Sequence, residues 1–158
     1  MTASTVTLPV VTDWLDADQQ RDWRAFIEGS VRLIDLLDAR LREQHELTLA
    51  EYEILVRLSE APGRSMRMAE LADLAYYSRS RLSHRIRRLE DRQLVRRKTA
   101  IDDGRGVVAT LTDTGFALLE RAAPDNLRSV REHFVDVVET ADLQAIGRAM
   151  RAVTDSLS

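Results

Sequence analysis

The chain has 158 residues, with 23 Lys and Arg against 26 Asp and Glu, a formal charge of −3, and 44% hydrophobic residues. That is enough for one core-bearing domain with helical extensions. It contains no cysteine, which excludes disulfides, thiolate metal sites and thiol redox switching. It also has no apolar run of about eighteen residues and no basic-then-apolar start, so a cytoplasmic protein with no membrane partner is expected.

Residues 1–12 contain Pro9, several threonines and no helical period, and read as an extended arm. Asp16 and Gln19 then form an N-cap and N3 pair. The helix they open runs to about Gln44, with Trp23, Phe26, Ile27, Val31, Ile34, Leu37 and Leu41 on one broad face. Such a helix spans about 42 Å, and so much apolar face needs a partner from elsewhere. His45 and Glu46 connect it to Thr48 and Glu51, a capping box, with Leu47 and Tyr52 at the staple positions. A helix over about Leu49–Ser59 follows and stops at Ala61-Pro62-Gly63. Residues 64–68 supply a short strand.

Met68 to Ala75 is a short helix, Tyr76-Tyr77-Ser78 a turn, and Ser78 the N-cap of a second, basic helix. This is helix-turn-helix spacing. In the second helix Leu82, Ile86 and Leu89 share one narrow apolar face, while Ser80, Arg81, His84, Arg87, Arg88 and Asp91 lie opposite. A buried leucine stripe beneath serine, histidine and arginines suits a major groove, where arginine donors read guanine edges. The alternative is an ordinary solvated helix face.

The following hairpin favours the first reading. Leu94 to Thr99 and Val107 to Leu111 form two short strands around Asp103-Gly104-Arg105-Gly106, whose apex offers one guanidinium to a minor groove. From Arg64 to Arg105 there are twelve Lys and Arg against six Asp and Glu, a local +6. The remainder is −9, so a basic reading module is carried on an acidic scaffold. The expected fold is mainly α with a small β-hairpin wing, a winged helix-turn-helix.

Thr112 caps the next helix, in which Phe116, Leu119 and Ala122 lead to Pro124. That proline is expected to kink or break the helix, with the period resuming through Leu127, Val130, Phe134, Val137 and Val138. Thr140 is expected to cap a last helix whose Leu143, Ile146, Met150, Val153 and Leu157 recur at coiled-coil spacing. The terminal helices carry more apolar surface than a winged helix needs, which implies a homodimer; a monomeric bundle is the alternative. The domain plan is a 1–12 arm, a 13–46 plus 113–158 dimerisation domain, and a 47–112 DNA-binding domain.

No nucleophile, His and carboxylate constellation can be assembled from His45, His84 and His133, so an enzyme is not expected. Glu132, His133 and Asp136 have helical spacing that metal ligands can use, but a charged face of this kind is ordinarily solvated, and no metal or cofactor is expected.

The run Leu47 to Leu55, the Met68-Ala69-Glu70-Leu71-Ala72 helix, Ser78 to Leu89, Leu94-Val95-Arg96-Arg97, Asp103-Gly104-Arg105 and Leu111 to Gly115 together resemble the MarR family of bacterial regulators. The resemblance covers nearly everything from Trp14 onward. It implies a homodimer on double-stranded DNA, a pseudo-palindromic operator read by Ser78, Ser80, Arg81, His84, Arg87 and Arg88, and a wing contributing Arg97, Asp103 and Arg105. The sequence departs from the family at Gln93, where a helix-ending glycine is usual and which therefore sits at positive φ or changes the helix exit, and at Tyr76-Tyr77. Family members are commonly released from DNA by small aromatic or carboxylate effectors. Trp14, Trp23, Phe26, His45, Tyr52 and Tyr77 are the candidate liners, aromatics with polar handles suiting a flat acid; the alternative is that Trp23, Phe26 and Tyr52 are core residues. A sensor or co-regulator with weak DNA binding is the competing function.

Overall fold

The computed structural model describes residues 13–75, 77–99 and 106–157. The predicted arm at 1–12 and Tyr76 lie outside them. The chain divides into two compact units, one reaching to Arg32 and the other beginning at Leu33.

Helix α1 (Ala17–His45) contributes to both. Its start is as expected: the Asp16 carboxylate accepts the Gln19 N–H, and the Gln19 side chain accepts the Asp16 N–H. In the first unit the apolar face of α1 is uncovered, with Trp23, Phe26, Ile27 and Val31 exposed. Only from Leu37 onward does α1 bury residues, Leu37 and Leu41.

In the second unit, α2 (Leu49–Glu60) opens on the predicted capping box. The Thr48 hydroxyl accepts the Glu51 N–H and the Glu51 carboxylate accepts the Thr48 N–H. Leu47 and Tyr52 are both buried, as a hydrophobic staple requires. A 3₁₀ turn over Pro62–Arg64, with Gly63 at φ 60°, delivers β1 (Ser65–Arg67). Helices α3 (Met68–Leu74) and α4 (Arg79–Asp91) follow, then β2 (Val95–Thr99) and β3 (Val107–Leu111). The antiparallel sheet has the order β1-β3-β2, pairing Ser65 with Thr110 and Val95 with Leu111. Its base closes a core of Leu47, Ile54, Leu55, Leu58, Leu71, Leu82, Ile86, Leu89 and Ala109, all almost fully buried.

Helix α5 (Asp113–Val130) rules out the break, one of the two outcomes expected at Pro124. Pro124 neither breaks it nor ends it; the helix continues six residues further. Proline removes one N–H and crowds one turn, and Pro124 is itself exposed while Leu118, Leu119 and Ala122 hold the preceding turns in the core. The irregularity comes later, as a π-helical turn over Arg131–Val135. Helix α6 (Thr140–Ser156) starts one residue earlier than expected, since Glu139 rather than Thr140 holds the extended N-cap backbone, and no side chain caps it. No residue of α6 is buried. Among the described residues no helix is long and apolar enough to cross a membrane.

Candidate nucleic-acid interface

The interface is built on α4. Ser78 begins it with an extended backbone, and its hydroxyl accepts the Arg81 N–H at 3.4 Å. The turn before it is held by the Tyr77 N–H, which donates to the Ala72 carbonyl. Leu82, Ile86 and Leu89 are fully buried, which fixes the rotation of the helix about its own axis. The opposite face is thereby presented to solvent: Ser80, Arg81, His84, Arg87 and Arg88 are all exposed. Ser80, Arg81, His84, Arg85 and Arg88 line one shallow groove along it.

The exit of α4 is equally defined. Gln93 sits at φ 59°, its N–H donates to the Glu90 carbonyl, and the Leu94 N–H donates to the Leu89 carbonyl. These are the two bonds of a Schellman stop, with Leu89 and Leu94 as its apolar contact. The left-handed conformation expected at Gln93 is therefore present. Beyond it, the Thr112 hydroxyl donates to the Gln93 and Leu94 carbonyls and accepts the Gly115 N–H, joining the helix exit to the start of α5.

A model of the MarR family matches residues 45–106. The structure of AbsC, a MarR family transcriptional regulator from Streptomyces coelicolor, superposes with a TM-score of 0.89 at 40% identity, covering 92% of this chain and 98% of that one. This chain belongs to the MarR family. Another member from Streptomyces coelicolor, Sco3205 in complex with DNA, superposes with a TM-score of 0.90 at 40% identity, covering 92% of this chain and 94% of that one. The HTH-type transcriptional repressor Rv2887 of Mycobacterium tuberculosis is 42% identical over 76 residues, 48% of this chain; the match spans 53% of that repressor, about half its length.

In this MarR family winged helix-turn-helix the remaining predicted residues are placed as follows. Arg97, on β2, is held by Glu90: its N–H donates to one carboxylate oxygen at 2.9 Å and its Nε to the other at 2.8 Å. The pair fastens the hairpin to the last turn of α4. Asp103 and Arg105 lie outside the described residues. Sequence reasoning passed over Arg67, Arg79 and Ser83, which line a groove with Met68, Leu82, Gly106 and Val107 between the two helices and the wing. Their basic character was visible, but a wheel drawn for α4 alone does not show what β1 and β3 bring beside it.

Two acidic residues lie near arginines of α4. Glu51, 2% exposed, has its second carboxylate oxygen 3.2 Å from Nε of Arg88. Burial pushes the Asp38 carboxyl up, but it accepts hydrogen bonds from Arg42 and the Leu49 N–H and lies near the Arg42 and Arg85 charges. Together these hold it below the usual carboxylate range. Arg85 in turn stacks over the Tyr77 ring at 4.9 Å.

The aromatic set is divided between the two units. In the first unit Trp14 is 84% exposed, and Trp23 and Phe26 contact each other with ring centroids 5.9 Å apart. In the second, His45 Nε2 lies 2.9 Å from an Asp125 carboxylate oxygen. Tyr52 is buried, which pushes its phenol above the ordinary value, partly offset by a hydrogen bond from Asn126. Tyr77 serves Arg85. His45 and Tyr52 thus meet neighbouring residues of α5, Asp125 and Asn126, whereas Tyr77 meets Arg85 of α4. Of the helical carboxylates with metal-ligand spacing, Asp136 pairs with Arg131 at 2.6 Å and Glu132 faces Arg40 at 3.4 Å.

Proposed function

We propose that this MarR family member is a sequence-specific DNA-binding repressor that acts as a homodimer on a pseudo-palindromic operator. The observation that carries this is the rotational setting of α4: three fully buried apolar residues turn Ser80, Arg81, His84, Arg87 and Arg88 outward together. Arginine forks on a helix of this kind match guanine O6 and N7 in the major groove, each good pair giving about 1–3 kcal/mol of discrimination. Contacts of the arginines to phosphate add a salt-dependent, sequence-independent part. The crystal of Sco3205 with DNA supports the reading, as does the similarity to a curated repressor.

Repression requires two reading heads about one helical turn apart, and the exposed apolar faces of α1 and α6 support the dimer that would supply them. We extend the proposal to release from DNA by a small aromatic or carboxylate effector that favours a conformer with the wrong head spacing. Binding of the purified protein to DNA upstream of its own gene, at two salt concentrations and beside an unrelated duplex, tests the first part. Selective binding that weakens steeply with salt is expected; equal, weak binding to both duplexes would overturn it. A panel of aromatic acids screened for DNA release tests the second, and is expected to yield at least one compound that lowers operator affinity.

A further inference from the structure

We infer that Glu51 is a positioning residue for DNA reading, its buried carboxylate holding the Arg88 guanidinium by one edge so that the other edge is presented to a base. The inference rests on the proposed DNA binding and names a determinant of it that lies outside the reading helix. Glu51 stands at the third residue of α2, where one carboxylate oxygen completes the capping box by accepting the Thr48 N–H at 2.9 Å. A cap needs only that oxygen. The other lies 3.2 Å from Arg88 Nε, on a side chain that is itself 54% exposed. A carboxylate with so little contact with water needs partners, and here one oxygen accepts a backbone amide of the scaffold while the other is ion-paired with an arginine of α4.

The edge of Arg88 that is engaged decides what remains. A guanidinium offers five N–H donors in a fixed planar fork. Nε is the guanidinium nitrogen nearest Glu51, the one ion-pair partner of Arg88 among the described residues, which leaves the terminal edge of the fork farther from this anchor. That terminal edge is one a guanidinium can direct at guanine O6 and N7. Fixing the side chain beforehand removes part of the rotamer entropy otherwise lost on binding. The anchor is itself braced: Arg42 lies close enough to Glu51 to feel its charge and hydrogen-bonds Asp38, and Asp38 accepts the Leu49 N–H. The start of α2, the end of α1 and the reach of Arg88 are therefore set by one group of charges.

A structural role alone and a positioning role differ in what they do to specificity. Glu51→Gln keeps an acceptor for the Thr48 N–H but removes the negative charge beside Arg88, and it makes the protein one unit more basic. The full-length protein and its variants would be titrated with the duplex that wild type enriches from a random pool and with an unrelated duplex. For Glu51→Gln we expect about tenfold weaker binding to the selected duplex and unchanged or tighter binding to the unrelated one. Arg88→Ala should show the same loss of discrimination, and the double variant should lose no more than either single one. Arg88→Lys, which keeps the charge but cannot offer two edges, should lose discrimination with its melting temperature unchanged, and so serves where Glu51→Gln folds poorly. Equal weakening on both duplexes, additive losses, or an Arg88→Lys protein that discriminates like wild type would overturn the inference. Wild-type protein that enriches no sequence would overturn the DNA reading along with it, whereas a discriminating wild type with an indifferent Glu51→Gln overturns the role of Glu51 alone.

Discussion

Gln93 and Gly115 lie on either side of one short stretch of backbone, and each answers a different steric demand. Gln93 holds φ at 59° to stop α4, a conformation that costs a residue with a Cβ roughly 1–2 kcal/mol. Gln93→Gly removes that cost but gives the unfolded chain more freedom, so a net stabilisation of about 0.5–1 kcal/mol is expected, read as a higher denaturant midpoint at constant slope. Gly115 is there for space: a Cβ on it would stand 2.1 Å from the Leu94 carbonyl oxygen. Gly115→Ala must therefore push the α5 start off the helix exit, and a destabilisation of about 3 kcal/mol or more is expected from the same titration. The first demand was legible through the family resemblance, because a residue other than the usual helix-ending glycine at this position must either take positive φ or change the helix exit. The second was not, because the offending carbonyl is 21 positions away in the chain and only the fold brings it near.

At the scale of elements, the caps carried most of what could be read in advance. Asp16, Thr48, Ser78 and Thr112 each start the helix expected of them, since a cap and its partner are three residues apart and need no tertiary information. Where the outcome depended on neighbours, the sequence was a poorer guide. Pro124 is carried through α5 by the core packing of the preceding turns, and the break falls instead at Arg131–Val135. Asp38 likewise could not be picked out, because its partners come from α1 and the start of α2. Its carboxyl is held below the ordinary value, so the folded state binds its proton less readily than the unfolded chain does. The stability this contributes is present above about pH 4 and is lost as pH falls through the folded-state value. Asp38→Asn is expected to lower stability at pH 7 by about 1 kcal/mol and to make the difference from wild type shrink in acid; a difference that stays constant from pH 7 to pH 2 would rule out the charge as its cause.

At the scale of the whole molecule, the same separation that was visible as a basic segment on an acidic remainder organises the apolar surface. The winged helix shares one core with Leu41 of α1 and with Leu118, Leu119 and Ala122 of α5, whereas α6 buries nothing and leaves Ile146, Val153 and Leu157 in water. Such a row on one helix is costly unless covered, and a second copy of the chain would cover it symmetrically. The spacing of this row was legible because it repeats within one helix; that no other described residue buries it was not. Replacing Ile146 and Val153 together by glutamate puts four charges into the proposed dimer seam. We expect sedimentation to shift from dimer to monomer while helix content is retained, because neither residue supports the winged-helix core. Operator affinity should then fall by about 100-fold or more, since two half-sites held at a fixed spacing bind far more tightly than one, and the loss should be smaller on DNA carrying a single half-site. A wild-type protein that sediments as a monomer at micromolar concentration would overturn the dimer, and a double variant that remains a dimer would move the interface away from α6.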